Sequence, residues 1–298
     1  MKVIVFGGSG FLGSYVCDEL ALRGYKVIIA DIKEPMSNKV QHIYEKCDIM
    51  DASSIERLID GNTDYVYNFA GFADLNEAQE QPLLVMQLNV IGNLNILRRC
   101  KEYSVKRFVY ASSAYAFSRN GSFYGISKYT SEKITEEFYQ RYGQKFSIVR
   151  YGSLYGERAD EHNYIYNLLK EAVLNNCIVI KNDEDDVREY IHAKDAAKLS
   201  VDILENSSYE NETIILTGFE RLRRRELYDM VKEILGGDVR YEYVEKEENS
   251  VTGHYKITPY SYHPSSARKL IANPFIDMGQ GIVECIVAMR KELSEDRL

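Results

Sequence analysis

Along the first half of the chain, short apolar runs alternate with longer stretches of helical period, the pattern of repeated strand–helix–strand units. The runs Val3-Ile4-Val5-Phe6 and Val27-Ile28-Ile29 are continuous. Their strands are therefore expected to be covered on both faces, as in a parallel sheet. The pattern predicts strands at 2–6, 26–31, 65–69, 107–112 and 146–151. Between them, Leu12, Val16, Leu20 and Leu22 fit one helical stripe, and Val85, Leu88, Ile91, Leu94 and Leu97 fit another. The fold class that follows is α/β with a doubly wound parallel sheet. After about Tyr155 the rhythm loosens, with a further strand at Ile214–Gly218 and a helix over about 224–235 that stops at Gly236-Gly237. The acidic run Asp183–Asp186 and the charged segment Glu245–Glu248 read as solvated loops, and Arg223-Arg224-Arg225 as surface charge.

Composition narrows the class. With 298 residues, 45% hydrophobic and 28% charged, the chain has ample length for a sizeable core. It carries 37 Lys and Arg against 45 Asp and Glu, a net charge of −8, which disfavours nucleic acid as the partner. Cys17, Cys47, Cys100, Cys177 and Cys285 are scattered, with no metal-ligand spacing, and read as buried thiols in a reducing cytoplasm. The first apolar run is far shorter than a secretory segment, and no stretch approaches the ~20 apolar residues of a membrane span. Neither a metal nor a membrane is expected.

The first strand runs into Gly7-Gly8-Ser9-Gly10-Phe11-Leu12-Gly13 and then a helix. Glycines at a strand-to-helix turn let the backbone approach a pyrophosphate, whose charge meets the open N–H groups and positive dipole of the helix start. Asp31 closes the second strand, 18 residues after Gly13, where a carboxylate accepts from both ribose hydroxyls and repels a 2′-phosphate; this favours NAD over NADP. Asp48-Ile49 reads either as a flank of the adenine or as a turn. Downstream, the strand at 107–112 leads to Ser113, and eleven residues later come Tyr124 and Lys128 at i and i+4, one face of a helix. A tyrosine works as a base near neutral pH only where positive charge favours the phenolate, which Lys128 and an oxidised nicotinamide would supply. Tyr124 would then take a hydroxyl proton as hydride leaves carbon, with Ser113 on the same oxygen and Lys128 holding the nicotinamide ribose.

The order and spacing of these elements resemble the short-chain dehydrogenase/reductase superfamily, in its extended branch of nucleotide-sugar epimerases and dehydratases. Asn68-Phe69-Ala70-Gly71, Asn89-Val90-Ile91-Gly92, Arg150–Gly156 and Arg188–Asp195 extend the likeness over almost the whole chain. The resemblance implies NAD against Gly7, Gly10, Phe11, Leu12, Gly13, Asp31, Asp48, Ile49, Ala70, Gly71, Asn89, Tyr124, Lys128 and Tyr151. It implies a nucleotide-diphosphate sugar against Ser153 and Arg188, the latter on the diphosphate, with His192 structural. Residues 1–155 and about 193–217 would form the NAD-binding domain, and about 156–192 and 218–298 a smaller α/β substrate domain. A homodimer through a four-helix interface is also implied, from segments 85–101 and 127–142 with Leu94, Leu97, Ile134 and Phe138.

The chain departs from that pattern at informative places. Ser113-Ala114-Tyr115 stands where dehydratases carry Thr-Asp-Glu, so elimination lacks its acid and base. The loop from Ser113 to Tyr124 is short, and Ser153 replaces a common Asn. No second phosphate clamp is identifiable; Gly253–Tyr260 and Tyr262-His263-Pro264 occupy that region. The expectation is NAD-dependent oxidation of a sugar hydroxyl, at C4, within a 4-epimerase cycle. A dehydrogenase that releases the ketone needs the same three residues, and a non-catalytic NAD-binding regulator is the reading from another class.

Overall fold

The computed structural model describes residues 1–35, 42–118, 120–181, 183–244, 254–259 and 267–295. Glu245–Glu248, Gly253, Tyr260 and Tyr262–Pro264 lie outside the described residues. The chain begins β1 (Lys2–Phe6), α1 (Phe11–Leu22), β2 (Lys26–Asp31), β3 (Ile43–Lys46), α2 (Ala52–Leu58) and β4 (Thr63–Asn68). Two short helices follow, α3 (Glu77–Glu80) and α4 (Pro82–Met86), then a π-helical turn at Gln87–Gly92 and α5 (Asn93–Glu102). Next come β5 (Arg107–Ser113), a 3₁₀ turn at Ala114–Phe117, α6 (Ser122–Tyr142), β6 (Phe146–Tyr151) and β7 (Ser153–Tyr155). The remainder is α7 (Tyr164–Asn175), β8 (Cys177–Ile180), β9 (Val187–His192), α8 (Ala193–Glu205), β10 (Glu212–Leu216), β11 (Arg221–Arg223), α9 (Arg224–Ile234), β12 (Arg240–Tyr243), β13 (Arg268–Leu270) and α10 (Met278–Glu295).

Eight strands form one parallel sheet in the order β3-β2-β1-β4-β5-β6-β10-β13. Because side chains alternate along a strand, Val3 and Val5 pack under α1 and α8, while Ile4 and Phe6 pack under α2 and α5. This is the doubly wound sheet that the continuous apolar runs predict. A smaller unit holds the β11-β9-β7 and β12-β8 sheets, with α7, α9 and α10 around a separate apolar core. β13, from the segment expected in the smaller domain, instead adds the outer strand of the large sheet. At three residues, two of them charged, it carries no apolar run to announce it.

Two helical stripes need correction. Leu12, Val16 and Leu20 are buried, but Leu22 is exposed, since the last residue of α1 has rotated off that face. In the second, Val85 and Leu97 are buried, whereas Ile91 faces solvent. The π turn inserts a residue into the helical period and turns Asn89 inward in its place.

α6 is fixed to the sheet by a buried charge pair as well as by the apolar contacts of Ile134, Phe138 and Tyr139. Its buried residues are Gly125, Ser127, Lys128, Ser131, Glu132 and Thr135. Glu132 accepts from Arg150 of β6 through both carboxylate oxygens, at 2.8 and 2.7 Å, and the Phe117 ring lies 3.6 Å from that guanidinium. Ser112 donates to the same carboxylate. Removing one partner strands a charge, at a cost of about 3–5 kcal/mol, while replacing both with apolar groups is far milder. We expect Glu132→Ala to lower the unfolding free energy by that amount and the pair Glu132→Leu with Arg150→Met to recover most of it, as measured by urea denaturation.

Candidate functional site

The strand order reverses beside β1, so the crevice at the carboxyl ends of β1, β4 and β5 is where a parallel sheet of this kind binds ligands. Gly7 leaves β1 at φ +75°, in the left-handed region, and a Cβ there would lie 2.5 Å from the Ala70 nitrogen. At Gly13 a Cβ would lie 2.2 Å from the Gly7 carbonyl oxygen. No side chain fits either place. Gly10 begins α1 without a side-chain cap, which leaves the first amide N–H groups of the helix open to an anion. The Ser9 hydroxyl is buried with no partner, a further unspent group in this loop. The loop thus fits a pyrophosphate. Phe11 and Leu12 turn their side chains into the core, so only their backbone faces the turn.

Asp31 stands at the end of β2, where its two carboxylate oxygens accept from the Ser9 and Lys33 amides, each at 3.0 Å. Asp48 is exposed and accepts from the Met50 amide at 2.8 Å, a turn interaction, while Ile49 is buried against Gly92. Ala70 and Gly71 follow β4 beside the glycine loop. Asn89 uses its amide on Phe72 (2.7 and 3.1 Å) and on the Ser127 hydroxyl (2.8 Å), tying the 71–72 loop to α6. The side chain of Tyr151 is turned away from the crevice, with its hydroxyl 2.7 Å from that of Ser200 under α8. His192 is buried and caps α8, its Nδ1 accepting from the Lys194 amide; burial lowers its pKa.

Ser113 and Tyr124 line one cavity of about 640 Å³, together with Ser153, Arg188, Arg224, Tyr115, His254 and Tyr255. Lys128 lies just below, one turn on, donating to the Ala111 carbonyl at 2.9 Å with its ammonium 5.8 Å from the Tyr124 ring centre. Burial raises the Tyr124 hydroxyl above its ordinary value, and the Ser113 hydroxyl opposes that. Burial pulls the Lys128 ammonium down to about 8, against the pull of Glu132. Ser113, Tyr124 and Lys128 are thus brought together, with a cation beneath the phenol.

Two arginines face the same cavity from the smaller unit. Arg188 is buried on β9, where it donates to the Lys256 carbonyl at 2.8 Å, pairs with Asp186 at 3.2 Å and lies 4.6 Å from the Tyr255 ring. Arg224 begins α9, pairs with Asp183 and lies over Tyr164, and its Nε is buried without a partner. The acidic run is therefore split: Asp183 and Asp186 hold Arg224 and Arg188 at the cavity, while Asp185 is exposed and pairs only at the surface, with Arg223 at 3.6 Å. Reading the Arg223–Arg225 run as surface charge missed Arg224, because nothing in three consecutive arginines tells which one a helix start turns inward. Tyr115, His254 and Tyr255 were likewise not assigned. Their signal was the absence of the usual clamp, which marks a region but not a role.

Residues 3–216 match the model of a family described as the NAD dependent epimerase/dehydratase family. A protein named a putative UDP-glucose 4-epimerase, from Methanocaldococcus jannaschii, is 26% identical over 97% of this chain and 98% of its own. The crystal structure of UDP-glucose 4-epimerase with UDP-glucose from Thermotoga maritima superposes with a TM-score of 0.83 at 25% identity, covering 98% of this chain and all of the other. The Thermus thermophilus UDP-glucose 4-epimerase, solved with NAD, shares the fold at a TM-score of 0.78 and 23% identity, covering 97% and 99%.

The Lys128 ammonium makes stability depend on pH in a definite direction. The folded chain releases this proton near 8, an unfolded lysine near ~10.4, so between the two the unfolded state binds more protons. Below that window the cost of burying the charge is fully present; as pH rises through it the cost is relieved. Denaturation midpoints at pH 7.5 and 9.5 should therefore rise more in the wild type than in Lys128→Met, and equal changes would refute a buried ammonium.

Proposed function

Because the chain belongs to the NAD dependent epimerase/dehydratase family, we propose that it oxidises the C4 hydroxyl of a nucleotide-diphosphate sugar and returns hydride to the other face, a 4-epimerase cycle. The observation that carries this reading is the placement of Ser113 and Tyr124, with Lys128 beneath the phenol, on a cavity that Arg188 and Arg224 also line. When bound, NAD supplies the hydride acceptor and donor. The glycine loop and the start of α1 would hold its pyrophosphate, and Asp31 at the end of β2 would accept from its adenosine ribose. Asp48, Ile49, Ala70, Gly71 and the Tyr151 backbone would flank it, with Asn89 bracing the 71–72 loop. Tyr124 accepts the C4 hydroxyl proton, Ser113 donates to the same oxygen, and the Lys128 charge favours the phenolate. The ketone then turns over, and Tyr124 returns the proton.

The substrate is held mainly from the smaller unit. Arg188 and Arg224 present planar forks to a diphosphate, whose oxygens they match in pairs. Ser153 meets the sugar. The named relatives, one of them solved with UDP-glucose, support a UDP-sugar. Dehydration is disfavoured, since Ala114 and Tyr115 offer no carboxyl group.

The dimer of the same reading would use an extended version of the expected surface. Leu97 is buried, while Leu94, Ile134 and Phe138 are half-buried, with Ile134 and Phe138 packed in part on their own sheet. Leu83, Leu84, Ile91, Phe123, Ile126 and Tyr129 are exposed, on α4, the π turn and the first turns of α6. This apolar face suits the four-helix pairing of two copies. Among the described residues, no helix is long and apolar enough to cross a membrane.

NMR of UDP-glucose incubated with the purified protein should show UDP-galactose accumulating with no added NAD acceptor. Tyr124→Phe should lower kcat by roughly 10²–10⁴-fold. A 4-keto sugar appearing only with an external acceptor would instead make the protein a dehydrogenase. In sedimentation, the wild type should run as a dimer and Ile126→Glu as a monomer; a monomeric wild type would discard the interface.

A further inference from the structure

Elimination is disfavoured in this chain, yet one of the two positions that would carry its carboxyl groups is not inert. Tyr115, on the 3₁₀ turn after β5, places its hydroxyl 2.9 Å from Nδ1 of His254. The two residues stand 139 apart in sequence and meet on the wall of the cavity that Ser113 and Tyr124 line. The Tyr115 ring packs edge-on against Tyr124 at 6.2 Å and tilted against Tyr255 at 4.5 Å. His254 is seated by its own backbone, whose carbonyl accepts from the Asn120 amide group at 3.3 Å. The segment that carries it is pinned at Lys256, whose carbonyl accepts from the Val187 amide and from Arg188, and at Thr258, which accepts from the Glu189 amide.

We propose that Tyr115 and His254 are a second proton-transfer pair, which removes and returns the hydrogen on a carbon next to the transient ketone. The proposal rests on the oxidation above for its ketone. A C4 carbonyl acidifies the C–H bonds at C3 and C5. In the outward step, the C–H proton passes to the Tyr115 oxygen while the phenolic proton passes to His254 Nδ1. The electron pair left on carbon moves into the carbonyl as an enolate, whose oxygen takes a hydrogen bond from Ser113 and from the protonated Tyr124. The return step reverses each transfer, so no oxidant or co-reactant is consumed. Exchange of the histidine proton with water labels the carbon, and return from the same phenol keeps its configuration.

Burial holds the Tyr115 hydroxyl well above its ordinary value, with Tyr255 and Tyr124 adding to this and Arg188 and Arg224 opposing it. The phenol therefore stays protonated and moves a proton only as a relay, with His254 as the base behind it. A carboxylate at this place would expel water from the adjacent carbon; a phenol backed by imidazole has no such strong acid to offer a leaving hydroxyl.

The test supplies the ketone directly, so that it does not depend on C4 turnover. UDP-4-keto-6-deoxyglucose is incubated in D₂O with the NAD-loaded protein and followed by NMR. We expect deuterium at C3 or C5 well above the buffer rate, falling roughly 10²-fold or more in Tyr115→Phe and in His254→Gln. Retained NAD in each purified variant shows that it is folded. Wild-type exchange no faster than buffer overturns the proposal, as does exchange unchanged in both variants. Exchange on the preformed ketone without any turnover of UDP-glucose would uphold this pair and overturn the epimerase reading instead.

Discussion

The Arg150–Glu132 pair is the constraint on which the site depends. A guanidinium and a carboxylate sealed from water are costly unless each meets the other in good geometry, and here both carboxylate oxygens are engaged. That geometry fixes the rotation of α6 on β5 and β6. Tyr124, Lys128 and Glu132 follow at intervals of four along one helix face, so the residue that pins the helix also aims the two above it. Slippage of α6 by one residue would turn Tyr124 about 100° out of the crevice. The ion pair is thus registry, and its charge reaches the chemistry as well, since Glu132 supports the Lys128 proton that burial disfavours.

What α6 positions, the smaller unit completes. The glycine loop, Ser113 and Tyr124 sit at strand ends and on a helix packed against the parallel sheet, whose strands are fully paired around them. Arg188 and Arg224 come from β9 and α9, held by acids of their own run. An arginine already pinned by a carboxylate has little freedom left to lose, which under the proposed function would lower the entropy cost of gripping a diphosphate. Its charge is partly offset, which lowers the cost of burying it. The same ion pairs that make the acidic run look like a solvated loop are what pre-organise the cavity.

Legibility from sequence followed the type of force involved. β1, β2 and β6 match their expected bounds because continuous apolar runs report burial on both faces of a sheet directly. The glycine loop was visible because steric exclusion leaves one residue type. α6 was placed by its YxxxK spacing, while its buried face of Ser, Lys, Glu and Thr carries no hydrophobic stripe. β13 was lost for lack of any apolar residue pattern, and Ile91 misplaced because a π turn breaks the 3.6 period without a sequence mark. Arg224 and the Tyr115–His254 contact were out of reach for a further reason: they join segments far apart in the chain, and pairing at a distance leaves no local trace.

The last of these bears on how one fold supports several outcomes from a single oxidation. Once a ketone stands at C4, its fate is decided by what faces the neighbouring carbons. Acid and base carboxylates there lead to loss of water; nothing there leaves only hydride return. A phenol joined to an imidazole lies between these, able to carry a proton and unable to drive out hydroxide. In this chain that choice is made by Tyr115 on a rigid turn, and by a histidine delivered from a segment that also crosses Arg188 through the Lys256 carbonyl. Under the proposed function, the two ends of the substrate, diphosphate and sugar, would therefore be read by one continuous stretch of chain. A diphosphate on Arg188 would then also steady the segment that carries His254, coupling recognition at one end to proton transfer at the other.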